Sequence, residues 1–232
     1  MIDIHTHILP FVDDGSPALL NSLKMLKEEK KAGVDKIFLT PHHKLNKYDT
    51  PPEKIIEEFE KFKKFASDNG FDGELYLGRE YYVDEDFFEN FKTADIITMN
   101  GTKCVLIEFS VFISAKIQDI IFKFVQMGYV PIIAHVERYM YLDWHDLYDL
   151  KKLGALIHVN ASCIAGEMVR KNRDTILRAI CDGLIDFVAS DAHYGRKNFM
   201  KKAYNIVKKK LNKDIADDLF TNNAEYLLLN NR

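Results

Sequence analysis

Short apolar runs recur along the chain, and nearly all of them end in the same kinds of side chain. MIDI leads into His5-Thr6-His7, KIFLTP into His42-His43, ELYLGR into Glu80 and CVLI into Glu108. VPIIA leads into His135, and IDFVAS into Asp191-Ala192-His193. Imidazole and carboxylate without thiolate suit Mn²⁺, Zn²⁺ or Fe, and less well Ca²⁺ or Mg²⁺ alone. Residues two apart in an extended strand share a side, so His5 and His7 face one way, as do Asp191 and His193. Singly, each has an ordinary explanation: a histidine after a strand more often caps or packs, and a glutamate there is often solvated. Together, five of the eight histidines and three acids stand at equivalent positions. Buried carboxylates in such a crowd need cations.

Other residues near these runs are more ambiguous. Asp13 and Asp14 precede the first helical segment, where a plain helix-terminal charge would also explain them. Arg138 lies three residues after His135. Its guanidinium matches phosphate in a bidentate fork, with a surface salt bridge to Glu137 or another acid as the ordinary alternative. Arg79 precedes Glu80, and alternation turns it to the opposite side, which gives it a structural role. His43, His145 and His158 have no evident partners and read as structural or surface groups. Asn160 is a candidate pocket-lining residue without a metal role.

The elements that must position these groups are set by hydrophobic periodicity. Strands are expected at Met1–His5, Lys36–Thr40, Glu74–Gly78, Cys104–Glu108, Val130–Ala134, Ala155–Val159 and Asp186–Ala189. Continuous apolar strands of this kind form parallel sheets buried on both faces. Helical segments lie between them. Ser16 is the expected N-cap of the first, with Pro17 at N1, Leu19, Leu20, Leu23 and Leu26 on one face, and Gly33 as an αL stop. Thr50 and Glu53 form a capping-box pattern around Pro51, followed by an apolar stripe of Ile55, Ile56, Phe59, Phe62 and Phe65 ending at Gly70. Strand–helix alternation argues for α/β, as a closed barrel or an open sheet. In a parallel barrel the C-terminal strand ends meet on one face, which would gather all the candidate ligands. No GxGxxG or GxxxxGK[ST] follows a strand, which counts against a nucleotide-binding open sheet.

Composition narrows the function classes. The 232 residues are 47% hydrophobic and 29% charged, with a net charge of −3, so no basic groove for nucleic acid is expected. Cys104, Cys163 and Cys181 form no CxxC pair, which fits a reducing cytoplasm. The apolar stretch IIFKFVQMGYVPIIA is interrupted by Lys123 and is too short to span a bilayer, so no membrane insertion is expected. A secretory leader is not expected, since its cleavage would remove His5. No repeat or linker divides the chain, and residues 1–232 are expected to form one domain.

MIDIHTHILPFVDDG, LTPHH, GREYY, VLIEFS, IIAHVERY and ASDAH, in this order, resemble the polymerase and histidinol phosphatase (PHP) superfamily. Within it, the chain most resembles the bacterial protein-tyrosine phosphatases of capsule and exopolysaccharide operons, down to the tail DLFTNNAEYLLLNN. The resemblance implies a distorted (β/α)7 barrel and a three-metal cluster, usually manganese, with iron, zinc or magnesium as alternatives. By position, His5, His7, Glu80 and Asp191 would hold one metal. Glu80 would bridge to a second with Glu108 and His135. Asp14, His42 and His193 would hold the third, and Arg138 would grip the phosphoryl group as the catalytic and substrate-binding arginine.

The activity so implied is phosphotyrosine hydrolysis by a metal-bridging hydroxide, with metals and Arg138 stabilising the developing charge. A phenolate, of pKa about 10, leaves without strong acid assistance. The residues six positions after the cysteines are Ser110, Val169 and Phe187, so the C-x5-R pattern of thiol-dependent phosphatases is absent. The implied substrate is the phosphorylated tail of a membrane-associated tyrosine kinase. Lys208-Lys209-Lys210 would favour an acidic tail, or simply form a solvated helix face. Three rivals are a small-molecule phosphatase of the histidinol-phosphate type, a non-catalytic metal-binding regulator, and a phosphodiesterase or nuclease on the same metals.

Overall fold

The computed structural model describes residues 1–84, 87–90, 96–112, 116–167 and 173–229. Its strands are β1 (Ile2–Thr6), β2 (Lys36–Leu39), β3 (His42–His43), β4 (Glu74–Leu77), β5 (Glu80–Tyr82), β6 (Cys104–Glu108), β7 (Val130–Ile133), β8 (Leu156–Asn160) and β9 (Phe187–Ala189). The helices are α1 (Leu19–Ala32), α2 (Pro52–Asp68), α3 (Phe87–Asn90), α4 (Ile117–Gln126), α5 (Trp144–Lys152), α6 (Ala161–Ile164), α7 (Arg173–Cys181), α8 (Met200–Lys210) and α9 (Lys213–Phe220).

Every expected run is a strand, and the paired strands run parallel in the orders β1-β2-β4 and β3-β5-β6-β7-β8-β9. Two runs extend further than the apolar pattern indicates. The β2 run resumes as β3 beyond Thr40-Pro41, where proline removes a ladder donor. The β4 run resumes as β5 beyond Gly78-Arg79. A Cβ on Gly78 would lie 2.6 Å from Met99 Sδ, so only glycine fits that bend. His42 and Glu80 therefore open continuation strands rather than trail off into loops. The circuit returns to its start where Asp191 N–H donates to His5 C=O at 3.0 Å and His7 N–H to Ala192 C=O at 2.9 Å. The result is a mixed α/β fold of two parallel sheets, the strand arrangement expected of a distorted barrel.

Alternation divides the apolar residues into two cores. Ile2, Ile4, Phe38, Cys104, Leu106, Ile132, Ala134, Phe187 and Ala189 form the inner one. Ile37, Leu39, Val105, Ile107, Ile133, Ile157 and Val188 face outward and pack under the helices. A 3-10 segment, Asn222–Leu228, stoppers the N-terminal end of the barrel with Ala224 and Leu227, and Asn100 Nδ2 donates to its Leu227 and Leu228 carbonyls at 3.2 Å.

Local capping differs from expectation. α1 begins at Leu19 with Ala18 at its N-cap and no side-chain cap. Ser16 Oγ instead accepts from Ser22 Oγ at 2.7 Å. Leu19 and Leu20 point to solvent, and the buried face is Ser22, Leu23, Met25, Leu26, Glu29 and Ala32. α2 likewise starts at Pro52, with Pro51 at its N-cap and no side-chain cap, and the Thr50 C=O accepts from Arg79 Nη2 at 2.7 Å. Ile56 is exposed, whereas Ile55, Phe59 and Phe62 are buried. Gly33 does terminate α1 in αL, at φ 87°.

Candidate metal centre

All nine proposed ligands and Arg138 come together at the C-terminal end of the barrel. His5 and His7 leave β1, where a register slip between Asp3 and Thr6 lets His5 join His7 on the inner side just above Ile4. Their Nε2 atoms lie 3.1 Å apart. Glu80 Oε2 is 3.2 Å from His5 Nε2 and 3.3 Å from His7 Nε2, and Asp191 Oδ1 is 3.7 and 3.4 Å from the same two atoms.

A second group joins Glu80 to Glu108. His135 Nε2 is 3.0 Å from Glu80 Oε1 and 3.6 Å from Glu108 Oε2. His42 Nδ1 reaches Glu80 Oε2 at 2.9 Å and Glu108 Oε1 at 3.5 Å. A third group is more open: Asp14 Oδ1 lies 3.6 Å from His42 Nε2 and 3.8 Å from His193 Nε2, and the His7 ring stacks on His193 at 4.2 Å.

These donors fit cations. Glu80 is fully buried, yet its Oε2 has no aligned hydrogen-bond donor despite three imidazole nitrogens around it. Nitrogens and carboxylates that converge without hydrogen-bond geometry are the arrangement a metal ion satisfies. The charge balance agrees. Burial opposes ionisation of Glu80, but His5, His42 and His135 outweigh it and hold its carboxyl well below the usual range. Burial, with Glu80 beside it, pushes Glu108 up to about 8. Burial would likewise discharge His7, but Asp13 overrides it and keeps the imidazole protonated. Burial and His7 lower His193 to about 4. Protons thus offset part of the carboxylate charge that cations would neutralise.

Supporting residues fix the orientation of this shell. Asp13, left open by the sequence, accepts from His7 Nδ1 at 2.7 Å, from His42 N–H at 2.9 Å and from Gly15 N–H at 2.9 Å. Such carboxylate–imidazole pairs set which ring nitrogen is free to bind metal. Gly15 packs so closely that a Cβ would lie 2.0 Å from the His7 carbonyl oxygen. His158, which had no evident partner in the sequence, is buried below the cluster, where its Nδ1 accepts from His135 N–H at 2.8 Å. Its position two residues before Asn160 on one strand was the available signal. Asn160 Nδ2 donates to Asp191 Oδ2 at 3.0 Å. Glu137 is not a partner of Arg138: both its carboxylate oxygens accept from Asn160 N–H at 3.3 Å. Arg138 Nη1 instead lies 3.6 Å from Asp191 Oδ2, part-exposed at the rim. Arg79 points away, as alternation requires. His145 is exposed beside Asp149, and His43 is half-buried, with burial lowering it to about 4.

Two ligand candidates carry unusual backbone. His135 has φ 37° and Asp191 φ 53°. Non-glycine residues in this region cost about 1–2 kcal/mol and concentrate where a site dictates the conformation.

Fold and site together define a metal-dependent hydrolase of the α/β-barrel type. The chain belongs to the CpsB/CapC family of capsular polysaccharide synthesis, whose model matches residues 1–229. It is 32% identical to the tyrosine-protein phosphatase CpsB of Streptococcus agalactiae, over 99% of both chains. It also superposes, with a TM-score of 0.90 and 30% identity, on a solved structure from the pair YwqE of Bacillus subtilis and CpsB of Streptococcus pneumoniae, described as metal-dependent tyrosine phosphatases. That match covers 100% of this chain and 96% of the other. A histidinol phosphate phosphatase from Lactococcus lactis, with 13% identity, a TM-score of 0.59 and coverage of 89% and 93%, shares the fold.

Proposed function

We propose that this protein is a metal-dependent protein-tyrosine phosphatase that hydrolyses phosphotyrosine on the tail of a cognate membrane-associated tyrosine kinase in capsule or exopolysaccharide synthesis. The observation that carries the reading is the convergence of three donor groups on one another with Arg138 at their edge. His5, His7, Glu80 and Asp191 would hold one cation, Glu80, Glu108 and His135 a second, and Asp14, His42 and His193 a third. Manganese is the proposed metal, consistent with an all-nitrogen and oxygen donor set. Cations bound there would supply hydroxide at neutral pH and neutralise phosphoryl charge.

The chain's own residues do the rest. Arg138, already drawn toward Asp191 Oδ2, presents a guanidinium at the rim where a phosphoryl oxygen can be gripped. Asp13 and His158 keep the imidazoles in register, so the site is organised before substrate arrives. Glu80, at full burial, keeps the carboxylate out of water, where its charge acts most strongly. A phenolate leaving group of pKa about 10 departs without an acid beside it.

Among the described residues no helix is long and apolar enough to cross a membrane. A cytoplasmic location is part of the proposal, supported by the free thiols of Cys104, Cys163 and Cys181.

The test is hydrolysis of a phosphotyrosine peptide by chelated protein with manganese added back. Activity should return with metal, fall by roughly 10²–10³-fold in Arg138→Ala, and vanish in His5→Ala/His7→Ala. Full activity after complete chelation would refute the metal dependence. Faster turnover of histidinol phosphate than of the peptide would move the assignment to a small-molecule phosphatase.

A further inference from the structure

A cavity of about 440 Å³ opens beside the metal centre, between α1 and the loop of residues 190–199. It shares Arg138, Asp191 and His193 with the site but extends well past them, to Met25 and Phe199. None of the residues beyond that shared edge is needed to hold a metal.

Its lining combines three features. The walls contributed by Met25 and Phe199 are apolar. Lys24, Arg196 and Lys197 are exposed and line it. Among the described residues, none of these three cations stands within ion-pairing distance of a carboxylate. Of the acids in the same lining, Glu28 pairs with Lys31 at 2.6 Å, and Glu29 is buried, with Oε1 3.4 Å from Ser190 Oγ and Oε2 without a hydrogen-bond partner. Finally, Asn160 is only 5% exposed, and its Nδ2 is committed to Asp191. Its Oδ1 is left as a buried acceptor with no donor, in the lining of the cavity. A buried acceptor without a partner is uncommon, and its presence at a pocket wall marks a place for a ligand N–H.

We propose that this cavity is a subsite for the residue flanking the phosphotyrosine, that it selects an acidic side chain there, and that Asn160 Oδ1 accepts a backbone N–H of the same peptide. The inference rests on the phosphatase reading above and names its substrate class: acidic phosphotyrosine peptides. The cavity adjoins Arg138, where the phosphoryl group would be held, so a peptide bound there lies beside its opening. Unpaired cations there attract a carboxylate and repel a lysine, so the same lining both recruits and excludes. A phosphate ester without a peptide would leave the cavity unused.

The experiment compares two phosphotyrosine peptides that differ only in glutamates or lysines flanking the phosphotyrosine. The manganese-loaded wild type should show kcat/KM about five- to tenfold higher for the glutamate peptide at low ionic strength, with the preference shrinking as salt is added. In Lys24→Glu/Lys197→Glu the preference should disappear or invert. Non-hydrolysable phosphonate versions of the peptides, titrated by fluorescence anisotropy, should show the same order in Kd. Equal kcat/KM for both peptides with the active wild type would overturn the subsite, as would a preference the double variant retains. Absence of hydrolysis of either peptide by wild type would instead count against the phosphatase assignment.

Discussion

Each inner column of the barrel begins apolar and ends charged or imidazole-bearing. Phe38 gives way to His42, Tyr76 to Glu80, Leu106 to Glu108 and Phe187 to Asp191. The lower half is close-packed hydrocarbon sealed by Ala224 and Leu227. The upper half holds buried carboxylates, converging imidazoles, a Glu80 oxygen with no aligned hydrogen-bond donor and two residues at positive φ. The same strands thus build a region that stabilises the fold and a region that strains it. The lower half secures the backbone so that the upper half can hold groups which, without cations, repel one another.

This contrast predicts opposite responses to substitution. Leu106→Ala in the lower half should cost about 2–5 kcal/mol, read as a fall in urea midpoint, while metal stoichiometry stays at the wild-type value. Glu108→Gln in the upper half should do the reverse. It should raise the Tm of the metal-free protein by removing a carboxylate that burial and Glu80 disfavour. It should also weaken metal binding at least tenfold in calorimetry. A Glu108→Gln protein that melted lower without metal would break the contrast.

Acidity should separate the halves as well. Folding raises Glu137 to about 7 and Glu108 to about 8. A raised carboxyl contributes stability that is full below its unfolded pKa and is lost as pH rises through the folded value. The metal-free protein should therefore lose Tm as pH rises from roughly 5 to roughly 8, from the ordinary carboxyl range up to those two values. Saturating manganese should flatten or reverse the trend, since cation binding displaces these protons and strengthens with pH. A metal-free melting temperature that climbs over this range would show that burial does not govern these two carboxyls.

The smallest effect should come from the site's edge. Phe11 is 67% exposed and sits at φ 69°, in the turn that carries Asp13 and Asp14. Phe11→Gly should relieve about 1 kcal/mol of backbone strain and raise Tm by roughly 2–4 °C in scanning calorimetry. No rise would mean that the Phe11 ring offsets its own strain by packing.

The strands were legible because both faces of a parallel sheet are buried, so apolar runs such as Cys104–Glu108 stand out without help from context. The ligand candidates were legible because each follows a run, although His5 joins the side of Ile4 only through the register slip that parity does not reveal. Asp13, His158 and the Asn160 amide were less so, because their roles depend on partners 6 to 31 residues away. The expected caps at Ser16 and Thr50 failed because the helices start later than the pattern indicates, at Leu19 and Pro52, with Ala18 and Pro51 at their N-caps. Helical spacing also misplaced Leu19 and Leu20, since the face of α1 that is buried carries Ser22, Met25 and Glu29.

Whether the imidazole–carboxylate cluster over the apolar core is a metal centre can be decided with crystals grown in manganese and measured on both sides of the manganese absorption edge. Anomalous peaks are expected inside the cluster: between His5, His7, Glu80 and Asp191, between Glu80, Glu108 and His135, and between Asp14, His42 and His193. Ordered side chains with no anomalous peak among them, in protein that still hydrolyses phosphotyrosine, would refute the metal centre.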